Sequence, residues 1–196
     1  MRENYLIDAV ILTWNSEKYI ERCVRSVFED AANSMLNVEV FVVDNASKDN
    51  TLEILDRLQK YYPSLQVIKL DKNYGTTVSR NTALKKCSGD YVLILDSDTE
   101  VKSGALAELI NTFDKKERIG IVAPRLLNPD GSVQPSFKKL PTVTVKFLKG
   151  MPIKRLNDIG TSLELYDEKF YKGDFKDFFE PDYCISACWM VNRNAI

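Results

Sequence analysis

Tyr91-Val92-Leu93-Ile94-Leu95-Asp96-Ser97-Asp98 is the most informative stretch of this chain for its architecture. Its apolar half shows no alternation with polar residues, as expected of a strand covered on both faces of a sheet. The run ends abruptly in two carboxylates one residue apart. Upstream, Leu6-Ile7-Asp8-Ala9-Val10-Ile11-Leu12-Thr13 has the same near-continuous apolar character. So do Val38 to Val43 and, more briefly, Leu65 to Leu70 and Ile119 to Ala123. Between these strands the apolar period lengthens to that of a helix. Tyr19-Ile20, Cys23-Val24 and Val27-Phe28 recur on one face of a segment spanning 17–32, with Ser16 placed to cap it. A second helix starts beyond a cap at Asp49 or Asn50, a third covers about 78–87, and a fourth about 103–113. Gly89 suits a left-handed position closing the third helix.

Strands alternating with helices predict an α/β fold with an open, mostly parallel sheet flanked by helices. Ligands of such sheets bind outside the carboxyl ends of the strands. The polar residues collect there: Asn15 after the first strand, Asp44-Asn45 after the second, Asn73 after the third, and Asp96 and Asp98 after the fourth.

Beyond Pro124 the pattern changes. Asn128-Pro129-Asp130-Gly131-Ser132 reads as a turn within a hairpin. Residues 138–179 mix Pro, Gly, Lys and aromatics, including Phe170, Tyr171, Phe175, Phe178 and Phe179. A loop-rich region with limited helix is expected there, its aromatics mostly packing a small core. Tyr183 to Val191 reads as one final strand. The expected division is 1–124 as the ligand-binding α/β part and 125–196 as a second part of the same domain.

Composition narrows the chemistry. The 27 basic and 28 acidic residues give a net charge of -1, without the basic surplus expected of nucleic-acid binders. Histidine is absent, which removes histidine-based catalysis and metal sites. The four cysteines, Cys23, Cys87, Cys184 and Cys188, fit neither a zinc site nor a disulfide framework. A reduced, cytoplasmic location is expected, with the inner face of the membrane as the alternative. No apolar run approaches the ~20 residues of a membrane span, and no G-x-G-x-x-G follows a strand, which argues against a dinucleotide dehydrogenase.

Asp96-Ser97-Asp98 has two readings. As a bare tripeptide it is a solvated loop capping the next helix. At a strand end, among polar residues ending the other strands, it suits a divalent cation shared with a diphosphate, because Mg²⁺ and Mn²⁺ favour carboxylate and phosphate oxygens. Asp44 can accept hydrogen bonds from a base N–H or a ribose hydroxyl, or simply form an Asx-turn. Gly75 would allow close backbone approach, and Arg80 could meet a nucleotide with its fork or lie on the surface.

In order, Val10-Ile11-Leu12-Thr13-Trp14-Asn15, Val42-Val43-Asp44-Asn45-Ala46-Ser47-Lys48-Asp49, Asn73-Tyr74-Gly75, Arg80-Asn81 and Leu95-Asp96-Ser97-Asp98 resemble the family 2 glycosyltransferases. Asn128 to Gln134 and Ser186-Ala187-Cys188-Trp189-Met190 resemble their rhamnosyltransferase-like subgroup. The resemblance implies a GT-A fold, with a Rossmann-like nucleotide-binding half and a loop-rich C-terminal acceptor region. It implies inverting transfer from a UDP- or dTDP-linked sugar to a glycan or polyprenyl-linked acceptor, with Mg²⁺ or Mn²⁺. It places Thr13, Asn15, Asn73 and Gly75 along the nucleotide and Asp44 on the base. Arg80 would lie near base or diphosphate, Asp96 at ribose or metal, and Asp98 on the metal.

Asp96-Ser97 departs from the Asn-Pro common in that subgroup, and Ser186 stands where Gly is usual. The family's general base lies in an acidic motif after the last strand, so it is expected beyond Ile196. A fragment of a longer chain, binding donor and metal but transferring poorly, is the corresponding expectation. A lipid diphosphate or a peripheral membrane association fits the cations Lys149, Lys154 and Arg155 beside the aromatics of the segment 151–179. The competing readings are a nucleotidyltransferase, whose Gly-rich basic loop is missing after the first strand, and a non-catalytic nucleotide-sugar-binding module.

Overall fold

The computed structural model describes residues 5–115, 118–167, 170–171 and 178–195. Phe175 lies outside the described residues. The chain forms two compact units, 1–124 with 186–196, and 125–185.

The first unit holds strands β1 (Leu6–Thr13), β2 (Asn37–Asp44), β3 (Leu65–Lys69), β4 (Tyr91–Asp96), β5 (Ile121–Val122) and β8 (Cys188–Asn192). Its sheet order is β3-β2-β1-β4-β8-β5. The first four strands pair in parallel, whereas β8 is antiparallel to both β4 and β5. The mostly parallel sheet expected from the apolar runs is therefore present. Each parallel crossover carries a helix: α1 (Ile20–Asn33), α2 (Thr51–Leu58) and α3 (Gly75–Leu84), followed by α4 (Ala105–Phe113).

Strand alternation sends neighbouring residues to opposite faces. Val10, Phe41, Val43 and Val92 form one core layer with Ala83 of α3 and Cys87 just beyond it. Ile7, Ala9, Ile11, Val40, Val42, Leu93 and Leu95, between them in sequence, are buried as well. Burial on both faces is why these strands read as continuous apolar runs.

Several expectations need correction. Helix α1 begins at Ile20 rather than near residue 17, and Tyr19, not Ser16, is its N-cap. The Ser16 hydroxyl instead meets the Ser97 hydroxyl at 2.8 Å. Helix α3 begins at Gly75, not near 78. Gly75 has φ +76° and open space around its missing Cβ, so backbone conformation, not close packing within the chain, favours glycine. Gly89 reverses that logic. It takes no left-handed conformation, but an added Cβ would lie 2.7 Å from the Leu6 carbonyl oxygen.

The single final strand is in fact two. Residues 185–187 break it into β7 (Tyr183–Cys184), paired with β6 (Phe137–Lys138) in the second unit, and β8 in the main sheet. The apolar run could not reveal that its halves pair with different strands.

The second unit carries the expected hairpin, with Leu127 bridged to Val133 around the Asn128–Ser132 turn. It is more helical than expected, containing α5 (Val143–Gly150) and α6 (Lys154–Leu163). The aromatics do pack a small core: Phe137 stacks on Tyr171 at 4.7 Å and meets Phe179 edge-on at 5.1 Å.

Candidate functional site

The register brings the first site residues together. Thr13, the last residue of β1, pairs with Asp44, the last of β2. Leu12 pairs with Asp96, the last of β4. Thr13, Asp44 and Asp96 therefore end three adjacent parallel strands at one sheet edge. Thr13 and Asp44 are fully buried. The Asp44 carboxylate accepts the Ser47 N–H at 3.0 Å through Oδ2. Asp44 Oδ1 and Thr13 Oγ1 have no partner among the described residues. A buried oxygen left without a donor is unfavourable, so any donor that reached the pair would be stabilised there.

Two loops frame this edge. Asn15 (φ 52°) donates its N–H to Ser47 Oγ at 2.9 Å and accepts from the Lys48 N–H at 2.8 Å. The loop after β1 is thereby tied to the loop after β2. Asn45 ties the latter to the start of α3. Its Oδ1 accepts from the Tyr74 N–H and Ser79 hydroxyl, and its Nδ2 donates to Asn73 Oδ1, each at 2.9 Å. Asn73 Oδ1 also accepts the Gly75 N–H. Asn73 and Gly75 thus shape the β3–α3 turn, and both are exposed. Asn45 received no role from the sequence, though it sat inside the quoted motif.

Arg80 is buried, contrary to the surface reading. It hydrogen-bonds Asp96 Oδ1 through Nη2. The fork also reaches the Ser186 hydroxyl at 3.2 Å and carbonyl at 3.3 Å. Ser186, noted only as a departure from glycine, is therefore one of the groups that orient Arg80. Arg80 Nε is buried without a partner among the described residues. Burial pushes the Asp96 carboxyl upward, Arg80 opposes that, and the nearby Asp98 charge adds to the rise.

Asp98 lies exposed two residues beyond β4. Helix α1 anchors its loop. Ser26 Oγ accepts the Val101 N–H at 2.9 Å. Buried Asp30 accepts the Gly104 and Leu106 N–H groups, the latter at 2.8 Å, at the start of α4.

Among the described residues no cluster of three His, Cys, Asp or Glu could enclose a metal ion. Asp96 and Asp98 offer carboxylates only. That donor set fits a hard cation that takes one or two carboxylates and completes its shell with water and phosphate oxygens. Cys23 and Cys188 lie near this edge, but burial drives both thiols upward, Cys188 to about 12, so neither is a thiolate ligand at neutral pH.

Comparison with known proteins adds an independent line. The family model described as "Glycosyl transferase family 2" matches residues 8–196. The chain is 30% identical over 137 residues to the putative teichuronic acid biosynthesis glycosyltransferase TuaG of Bacillus subtilis, covering 69% of this chain and 53% of that protein. It is 32% identical over 139 residues to the poly(ribitol-phosphate) beta-N-acetylglucosaminyltransferase TarS of Staphylococcus aureus, covering 69% and 24%. The crystal structure of S. aureus TarS 1–349 in complex with UDP-GlcNAc superimposes with a TM-score of 0.55 at 29% identity, covering 72% of this chain and 43% of that one. A Pyrobaculum calidifontis mannosyltransferase in complex with GDP-Man and Mn²⁺ gives 0.56 at 25% identity, covering 66% and 37%. The chain thus spans about half the length, or less, of these curated relatives.

Proposed function

The chain belongs to glycosyl transferase family 2 and has its GT-A fold, and on that premise we propose that it transfers a sugar, with inversion, from a UDP- or dTDP-linked donor to a glycan or polyprenyl-linked acceptor. The observation that carries the reading is the register pair at the sheet edge. Buried Thr13 Oγ1 and Asp44 Oδ1 both lack donors, beside a carboxylate held by Arg80. A nucleotide supplies what this edge lacks. A base N–H would donate to Asp44, and a ribose hydroxyl could donate to Thr13.

Asn15, Asn45 and Asn73 hold the surrounding backbone so that the pocket need not be ordered at the moment of binding. Arg80 keeps Asp96 aimed at the edge and leaves its own Nε as a donor toward the ligand. Asp98, with Asp96, would hold Mg²⁺ or Mn²⁺. The cation would offset the charge of the leaving diphosphate. We assign no general base among these residues.

Within the family, the Asn128 to Gln134 turn followed by Ser186 to Met190 favours a rhamnosyltransferase-like member. The names of the relatives favour a cell-wall polysaccharide as product. Four free cysteines suit a reducing, cytoplasmic setting. No helix among the described residues is long and apolar enough to cross a membrane.

Calorimetry with UDP and dTDP, with and without Mn²⁺, tests the proposal. Wild-type protein should bind one of them more tightly with Mn²⁺, and Asp98→Ala should lose that gain while keeping its thermal midpoint. Unchanged metal dependence in Asp98→Ala removes the metal assignment; no nucleotide binding by the wild type removes the donor site.

A further inference from the structure

The second unit has a surface that the nucleotide site does not explain. Residues 138–157 contain six cations, Lys138, Lys139, Lys146, Lys149, Lys154 and Arg155, and no Asp or Glu. Most of this stretch forms α5 and the start of α6. The helices are fixed before any partner arrives. Thr142 caps α5 by accepting the Val145 N–H at 3.3 Å. Gly160 of α6 packs so closely on α5 that an added Cβ would lie 2.8 Å from Lys149 Cγ. Lys149 also pairs with Glu164 at 2.9 Å.

The outward side of α5 is apolar. Val145 is its buried residue, whereas Val143 is 87% and Phe147 64% exposed. Their i, i+4 spacing puts Val143 and Phe147 on one face with Lys146 beside them, away from Val145. Leu140 (63%) and Ile153 (52%) flank the helix and are exposed too, with Lys139 and Lys154 next to them.

We propose that this α5 face docks on an anionic lipid surface, with Val143, Phe147, Leu140 and Ile153 entering the headgroup boundary and the flanking Lys and Arg side chains meeting lipid phosphates. Asp182 accepts the Leu140 N–H at 2.8 Å and Lys139 lies over the Tyr166 ring, so the cations facing outward beside the apolar side chains are chiefly Lys146, Lys154 and Arg155, in the pattern of an interfacial helix. A second copy is the poorer occupant, because a two-fold contact through this face would set basic residues against basic residues. The proposal goes beyond the donor site and does not depend on it.

Vesicle sedimentation of the full chain tests it, using phosphatidylcholine alone and phosphatidylcholine mixed with phosphatidylglycerol. The protein should sediment with the mixed vesicles, and high salt should release it. Phe147→Ser should bind about tenfold more weakly, from lost apolar burial. Lys146→Glu should weaken anionic binding as well. Because both side chains are exposed, circular dichroism and the thermal midpoint should not move. Equal binding to both vesicle types, no binding, or wild-type binding by Phe147→Ser overturns the proposal. So does a dimer in solution that Phe147→Ser converts to monomer, or an acidic protein binding this face when vesicles do not.

Discussion

Thr13 and Asp44 end adjacent strands as register partners, and each keeps one buried side-chain oxygen without a hydrogen-bond donor among the described residues. Their neighbours are well satisfied, with Asn45 alone making three side-chain hydrogen bonds at 2.9 Å. Asp8 Oδ1, Arg80 Nε and Trp189 Nε1 are likewise buried without a partner among the described residues, but only at the strand ends do two such oxygens belong to register partners. An unpaired buried oxygen costs folding stability, and a ligand donor that reached it would offset that cost.

Stability and binding should therefore separate at this pair. Thr13→Val removes an unsatisfied hydroxyl while keeping shape. It should leave unfolding free energy unchanged or raise it by about 1 kcal/mol, while weakening UDP or dTDP binding about tenfold. Chemical denaturation and calorimetry on the same sample check this. A variant that loses stability and keeps nucleotide affinity contradicts the assignment.

Asp30 should behave oppositely. Its carboxylate takes two backbone N–H groups at the start of α4 from within a buried site. Asp30→Ala strands both donors and should lower unfolding free energy by about 3 kcal/mol. Asp30→Asn retains one acceptor and should cost less. Urea midpoints rank the three proteins, and equal midpoints would deny Asp30 its anchoring role.

The two glycines should differ in kind. Gly89→Ala forces a methyl to 2.7 Å from the Leu6 carbonyl oxygen, which belongs to β1. The backbone must move, at about 2 kcal/mol. Gly75→Ala meets no atom but must hold φ +76°, at about 1 kcal/mol. Thermal unfolding of both variants measures the order.

Asp49 supplies a pH signature. Burial works to raise its carboxyl, but hydrogen bonds from the Thr51 hydroxyl and the Glu17 and Thr51 N–H groups outweigh it and hold it below the usual range. The folded form therefore binds that proton less tightly than the unfolded form. The contribution is present above the unfolded carboxyl range and fades as pH falls through the folded one. Asp49→Asn should be about 1 kcal/mol less stable at neutral pH. The gap should narrow on acidification, which denaturation at a series of pH values would show.

Residue order alone specifies the parallel core and the strand-end edge that holds the candidate site. Continuous apolar runs such as Val10 to Leu12 and Tyr91 to Leu95 require burial on both faces, and that demand is local enough to read from one strand at a time. Thr13, Asn15, Asp44, Asn73, Asp96 and Asp98 stood out as candidates because each ends or follows a strand, whereas Gly75 and Arg80, in α3, stood out chiefly through the family resemblance. Features that depend on partners distant in the chain emerge only in the folded molecule. Folding buried Arg80, because Asp96 and Ser186 come to it from β4 and from the segment before β8. It split the run from Tyr183 to Val191 between two sheets, because Phe137 and Leu95 pair with different halves of it. It set Gly89 against Leu6 and Asp30 under α4. Residue type and spacing encode periodicity, whereas register and long-range pairing arise only when separate elements compete for the same neighbours.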